Sequence, residues 1–172
     1  MSQRPKILIP HEDIEESVRK IAVNITCDYK GKRPLFIGIL KGSFVFMADL
    51  IRHIHTPLEV DFVKLSSYGS GTESMGEIKV LTKISTKVRN RHVIVVEDII
   101  DTGLTTAFVI DYLRKKKPRS IALCALTEKP SRRKIPVKID YLGFTVPDKF
   151  IVGYGIDWNE RYRNLRDICY IE

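Results

Sequence analysis

The sequence predicts an α/β domain with a largely parallel sheet, and three observations carry that expectation. "PLFIGIL" (residues 34–40) is a continuous apolar run, as expected of a strand covered on both faces, and "VIVVEDI" (93–99) and "SIALCAL" (120–126) predict further buried strands. The segments between them carry apolar residues at helical spacing. Strand, helix and strand follow one another twice, an order that lays parallel strands side by side and places ligands at their carboxyl ends.

In chain order, residues 6–9 form a short strand stopped by Pro10. From Glu12, the spacing of Ile14, Val18, Ile21, Ala22 and Ile25 predicts a helix, with Gly31 closing that region. After the strand at 34–40, "KGS" turns the chain into a second helix over about 44–54. "LEVDFVKLSS" (58–67) alternates and predicts a strand. "YGSGTESMGE" (68–77) has three glycines and almost no apolar side chains, so it predicts a mobile loop. "IKVLTKI" is a further strand, and residues 93–99 are a buried one. Residues 105–116 predict a helix ending in basic residues that suit its negative terminus. After the strand at 120–126, "IDYLGFTVPDKFIVGYG" (139–155) predicts short strands punctuated by Pro147, Gly153 and Gly155.

The chain has 172 residues, enough for one domain with a real core, and its 44% hydrophobic and 29% charged residues place it among globular proteins. No apolar run approaches the roughly 18 residues of a membrane span, and the amino terminus lacks a signal-like apolar stretch, so a cytoplasmic protein with no membrane partner is expected. Three scattered cysteines, Cys27, Cys124 and Cys169, imply neither a disulfide frame nor a zinc site. The net charge of +8 suits a polyanion, either a nucleic acid or a phosphorylated small molecule. Two basic clusters, "RKKK" (114–117) and "RRK" (132–134), are each expected to be solvated faces. His53 and His55 are expected on the surface.

The most informative stretch is "VIVVEDIIDTGLTT" (93–106). A buried strand runs into three carboxylates, Glu97, Asp98 and Asp101, and then into a Gly/Thr turn that opens a helix. Free backbone N–H groups and the helix dipole converge there on an anion, Gly103 permits close approach, and Thr102 and Thr105 add hydroxyl donors. Neither G-x-x-x-x-G-K-[ST] nor G-x-G-x-x-G is present, which excludes a P-loop triphosphatase and a nicotinamide dehydrogenase. Glu97 and Asp98 could accept sugar hydroxyls or bind Mg²⁺, and Asp101 could be a general base. The alternative is a helix-capping Asp101 with solvated strand-end charges.

These residues closely resemble the phosphoribosyl-diphosphate motif of type I phosphoribosyltransferases, and more narrowly their 6-oxopurine branch, the hypoxanthine-guanine phosphoribosyltransferases. The resemblance covers nearly the whole chain: "LKGSFVFMADL" resembles the pyrophosphate loop and its helix, "SSYGSGTESMGE" takes the lid position, and "EKPSRRK" precedes "VPDKFIVGYGIDWNERYRN", which resembles the base-binding hood. It implies a type I phosphoribosyltransferase fold over residues 1–172, with a mainly parallel central sheet flanked by helices. A small hood would come from the N-terminal segment and roughly residues 130–172.

The activity implied is transfer of the phosphoribosyl group from phosphoribosyl diphosphate to hypoxanthine or guanine, giving IMP or GMP and pyrophosphate. The resemblance assigns the 5′-phosphate to Asp101, Thr102, Gly103, Leu104 and Thr105, and the ribose to Glu97 and Asp98. Pyrophosphate falls to Lys41, Gly42 and Arg163, with the Leu40–Lys41 peptide often cis in the family. The base falls to Lys129, Lys149, Phe150, Ile151 and Asp157. Asp101, with Ser67 and Tyr68 of the lid, is implied in catalysis. Mg²⁺ is the implied cofactor, held by Glu97, Asp98 and Asp157. Arg161 and Arg166 are expected on the surface. A homodimer or homotetramer is expected, and a nucleic-acid partner is not. The sequence departs from the family in the rest of the lid, at Leu104 and at Trp158. Two rivals remain: a regulator that keeps the fold and binds nucleic acid, and a phosphoribosyltransferase for another base, of which xanthine is the hardest to exclude.

Overall fold

A computed structural model describes residues 4–68 and 77–172. Its centre is a six-stranded sheet in the order β4-β3-β2-β5-β6-β7. The strands are β2 (Leu35–Leu40), β3 (Glu59–Tyr68), β4 (Glu77–Thr82), β5 (His92–Ile100), β6 (Ser120–Glu128) and β7 (Tyr141–Thr145). All neighbours are parallel except the β3–β4 pair. A second, three-stranded antiparallel sheet joins β1 (Lys6–Ile9) to β9 (Ile168–Ile171) and β9 to β8 (Phe150–Val152), so both chain ends meet in it.

Three helices cover the central sheet: α1 (His11–Asp28), α2 (Phe44–Arg52) and α3 (Leu104–Arg114). In α1 the buried residues are Ile14, Val18, Ile21, Ala22 and Ile25, one stripe of a 3.6-residue repeat. Glu12 and Asp13 sit in its first turn, where the dipole favours acids. The helix stops at Asp28, three residues short of Gly31, whose positive φ of 71° turns the chain away. α2 likewise ends at Arg52, slightly earlier than its spacing predicts.

The alternation of a strand's side chains divides the core into two clusters. Phe36, Ile94 and Val96 point to the face packed by Ile14, Val18 and Phe46 of α1 and α2. Leu35, Ile37, Val93 and Val95 point to the other, with Val109 and Leu113 of α3. Burial on both faces is what makes the central strands read as unbroken apolar runs.

Some expectations are corrected. Tyr68 and Glu77, expected in a loop, are paired ends of β3 and β4, in register with each other. Residues 69–76, which carry the rest of the loop expectation, lie outside the described residues. β9 and a 3₁₀ turn at Pro130–Arg132 were not foreseen. The three cysteines are free. No helix among the described residues is long and apolar enough to cross a membrane.

Candidate active site

Because β2 and β5 run parallel, with Gly38 beside Val96, their carboxyl ends open on the same edge of the sheet. There Glu97 and Asp98 are buried. They line a cavity of about 180 Å³ with Ser66, Gly42 and Thr105. Neither Glu97 Oε2 nor Ser66 Oγ has a hydrogen-bond partner among the described residues. Burial pushes the Asp98 carboxyl up to about 6, against the pull of the backbone N–H groups of Asp98 and Ile99 and of Arg163; Asp157 adds to the rise. Burial, reinforced by Asp98, raises Glu97 well above the carboxylate range. Two buried acids, of which Glu97 keeps an unpartnered oxygen, can take up sugar hydroxyls or a cation, and either would favour their charged forms. Gly42 lies against this pair, and a Cβ there would fall on the Asp98 carboxylate.

One turn farther on is the anion cradle. Gly103 caps α3 in the left-handed region at φ 84°, which leaves the first amides of the helix without intrahelical acceptors. The N-cap residue is Gly103, and the side chain that reaches the first helical amide is that of Thr102, so the capping alternative for Asp101 is not what forms. The cradle is roofed from a distant part of the chain: Lys134 N and Ile135 N donate to Thr102 O at 2.9 and 3.1 Å. A Cβ on Gly103 would lie 2.5 Å from Ile135 O. The Leu104 N–H leans on Thr102 Oγ1 at 3.4 Å, and Thr105 is exposed beside it.

The roof corrects one expectation in part: Arg132 and Lys134 of the "RRK" cluster are exposed, but Arg133 is drawn inward. Arg132 Nε approaches Asp101 Oδ1 at 3.0 Å, a charge contact lacking hydrogen-bond alignment, and its Nη1 lies 3.6 Å from Asp148. Arg133 pairs with Glu128 at 3.1 Å. "RKKK" does lie on the surface, where Arg114 pairs with Asp111 at 2.9 Å and Lys116 lies over the Tyr112 ring.

On the other flank the Leu40–Lys41 peptide is cis. Lys41 Nζ contacts Glu160 Oε1 at 2.8 Å. Arg163 reaches Asp157 at 2.9 Å, Glu160 at 3.2 Å and the Gly155 carbonyl at 2.7 Å. Glu160 was not singled out in the sequence, where it reads as one more exposed acid. Asp157 is near enough to add to the rise of Asp98, yet among the described residues no three acidic, His or Cys side chains group around one cation position.

Toward the base end, Lys129 follows β6, its amide donating to Ile100 O at 2.9 Å. It is 5% exposed, and its ammonium has no hydrogen bond or ion pair among the described residues. Burial pulls its pKa down, while Asp101 pulls it up. Phe150 opens β8 with 52% of its surface exposed, and its ring meets Trp158 edge-on at 6.5 Å, which in turn stacks on Tyr162. Ile151 is buried and paired with Tyr170 of β9. Lys149 holds its ammonium 3.6 Å from the centre of the Tyr170 ring, the residue paired with Ile151. Ser67 and Tyr68 end β3, and their side chains lie outside the described residues. A larger cavity of about 350 Å³, between α3 and the chain entering β7, contains none of the unpartnered buried side-chain atoms among the described residues.

The model of the phosphoribosyl transferase domain matches residues 7–159. The chain is 48% identical over 160 residues to a hypoxanthine-guanine phosphoribosyltransferase of Bacillus subtilis, covering 93% of this chain and 89% of that one. It is 44% identical to one of Streptococcus pneumoniae, with the same coverage. A solved hypoxanthine-guanine phosphoribosyltransferase of Bacillus anthracis superposes with a TM-score of 0.94 at 46% identity, covering 99% of this chain and 100% of that one. A hypoxanthine phosphoribosyltransferase of Staphylococcus aureus gives 0.93 at 40% identity, covering 97% and 91%. With the strand-end acids, the Gly103 cradle and the buried lysine in one site, the chain belongs to the hypoxanthine-guanine phosphoribosyltransferases of the phosphoribosyl transferase domain family.

Proposed function

We propose that this chain transfers the phosphoribosyl group of phosphoribosyl diphosphate to hypoxanthine and guanine, giving IMP or GMP and pyrophosphate, as a cytoplasmic enzyme of purine salvage. The observation that carries this reading is the buried Glu97–Asp98 pair, with its unpartnered carboxylate oxygen, beside the Gly103 cradle. A ribose 5-phosphate spans such a pair: its phosphate accepts the α3 amides and its hydroxyls donate to the acids.

In the reaction the bond from C1′ to the pyrophosphate oxygen breaks and a bond from C1′ to a purine nitrogen forms. Positive charge grows on the ribose as pyrophosphate departs. Lys41, Gly42 and Arg163 take the leaving group's charge, and Asp101 receives the purine proton. Ser67 and Tyr68 exclude water that would trap the cation. Lys129 donates to the 6-oxo group, Phe150 stacks on the base and the Ile151 backbone meets the purine edge. Lys149, held on the Tyr170 ring, shapes the hood rather than touching the base.

Mg²⁺ fits this donor set as a guest of the substrate. The ion is satisfied by one or two carboxylates plus phosphate oxygens and water. Glu97 and Asp98 supply such carboxylates on the ribose side, and Asp157 supplies one on the pyrophosphate side. The ion's contribution is neutralisation of the leaving group.

Residues 1–172 are read as one phosphoribosyltransferase domain that works as a homodimer or homotetramer. The pairing of Arg132 with Asp101 and of Arg133 with Glu128 offsets part of one of the two basic clusters that suggested a nucleic-acid partner. Initial rates with hypoxanthine, guanine, xanthine and adenine, at fixed phosphoribosyl diphosphate and Mg²⁺, test the function. Turnover of the first two, with adenine nearly inert, is expected. No turnover of any 6-oxopurine would overturn it.

A further inference from the structure

We propose that Glu160 is a built-in counter-ion of the pyrophosphate subsite. It holds Lys41 and Arg163 in the free protein, yields them to the diphosphate of the substrate, and takes them back as pyrophosphate leaves. The proposal rests on the function above, which assigns both cations to pyrophosphate.

Three observations carry it. Both cations converge on this one carboxylate: Lys41 on Oε1 at 2.8 Å, Arg163 on Oε2 at 3.2 and 3.4 Å. Next, the backbone does not ask for a glutamate. Trp158 and Arg161 exchange both their backbone hydrogen bonds, at 3.1 and 3.0 Å, around a two-residue turn in which Asn159 and Glu160 have φ of 51° and 61°. Such a turn favours Asn-Gly, so its second position carries a side chain against local preference. The backbone N–H of Glu160 donates to Asp157 at 2.8 Å, a bond any residue could supply. What the side chain adds is the carboxylate. Finally, that side chain is 63% exposed, so it can swing into water without leaving a buried hole.

A diphosphate carries more negative charge than one carboxylate and competes for the same donors. Once the two cations turn to it, Glu160 is left beside an anion and is repelled. The same repulsion then favours departure of pyrophosphate. Glu160 therefore weakens ground-state binding and speeds release.

The test is calorimetric titration of inorganic pyrophosphate, in Mg²⁺ buffer, into the unaltered protein and into Glu160→Gln and Glu160→Gly. The glycine variant suits the turn, so it separates loss of the acid from loss of local structure. Both variants are expected to bind pyrophosphate about two- to tenfold tighter, the range for losing two competing exposed ion pairs. Product inhibition by pyrophosphate should tighten by the same factor, and the gain should shrink as salt screens the contacts. Unchanged or weaker binding in both variants, where the unaltered protein binds, overturns the counter-ion alone. No binding by the unaltered protein overturns the functional reading, and the counter-ion with it.

Discussion

Lys129 and Asp101 are near enough for one charge to act on the other, and on the proposed assignments each makes a different demand on the substrate. Lys129 is buried with an ammonium that finds no partner among the described residues. A 6-oxopurine brings an acceptor to it, whereas adenine brings a donor against a donor. Leaving a charged group unpaired costs on the order of 1.5–3 kcal/mol or more. Lys129→Gln should therefore lose much of the preference, because an amide can present either face, and should bind hypoxanthine and guanine more weakly. The ratio of kcat/KM for hypoxanthine over adenine measures it; an unaltered ratio would shift the discrimination to the backbone at Ile151. Asp101 meets Arg132 in a half-exposed contact worth about 0–1 kcal/mol. Asp101→Asn should leave the melting temperature nearly unchanged. It should lower turnover about 10²–10⁴-fold, with a much smaller effect on phosphoribosyl diphosphate affinity. Turnover equal to that of the unaltered protein would remove Asp101 from proton transfer.

At the scale of elements, legibility followed burial. β2 and β5 were plain in the sequence because covering both faces forces an unbroken apolar run, and the cradle was plain because Gly103 and its threonines follow β5 directly. β9 was missed: four residues after a turn-rich stretch carry no usable period. The roof over the cradle was missed for another reason. The pairing of Arg132 with Asp101 and the bonds of residues 134 and 135 to Thr102 join distant segments, and nothing local encodes them. The same holds for Asp61 of β3, which ties down the chain between β4 and β5. Its carboxylate accepts Phe62 N at 2.7 Å, Ser85 N at 2.8 Å, Ser85 Oγ at 3.1 Å and Thr86 N at 2.7 Å. Burial pushes this carboxyl up, but the bonds from Thr86, Phe62 and Ser85 outweigh it and hold the pKa below the usual range. A lowered folded pKa stabilises the protein above the unfolded value near 3.9, and that stability is lost as pH falls through the folded pKa. Asp61→Asn should thus cost about 1 kcal/mol at pH 7, or roughly 2–4 °C in Tm, and less near pH 3. Melting curves at both pH values decide it, and a gap of the same size at each would refute the charge as the cause.

Across the whole molecule, the candidate site is where the fold is least satisfied. The two sheets meet the ordinary demands of packing, with apolar clusters on both faces of the central one. Apart from His11 Nδ1, the exceptions among the described residues gather at the carboxyl edge and the cradle: unpartnered atoms of Glu97, Ser66, Asp101 and Arg133, beside a buried Lys129 and a raised Asp98. Groups taken from water without partners destabilise the free protein, and a ligand that supplies the partners returns that stability. Phosphoribosyl diphosphate with Mg²⁺, at about a hundred times its Kd, should therefore add about 2.7 kcal/mol. For a chain of this size that is roughly 5–10 °C in Tm. On the proposed assignments the ribose hydroxyls and 5′-phosphate would meet the unsatisfied edge, whereas a purine alone would meet the buried Lys129 and the exposed ring of Phe150. Hypoxanthine alone should move Tm much less, and chelating the metal should reverse most of the gain if Glu97, Asp98 and Asp157 engage the ion together with the diphosphate. Thermal scans of the free protein, with each ligand and with chelator, separate these cases. A Tm that phosphoribosyl diphosphate and Mg²⁺ fail to raise would mean that the edge is satisfied by something else, and the subsites assigned to β5 and α3 would have to be given up.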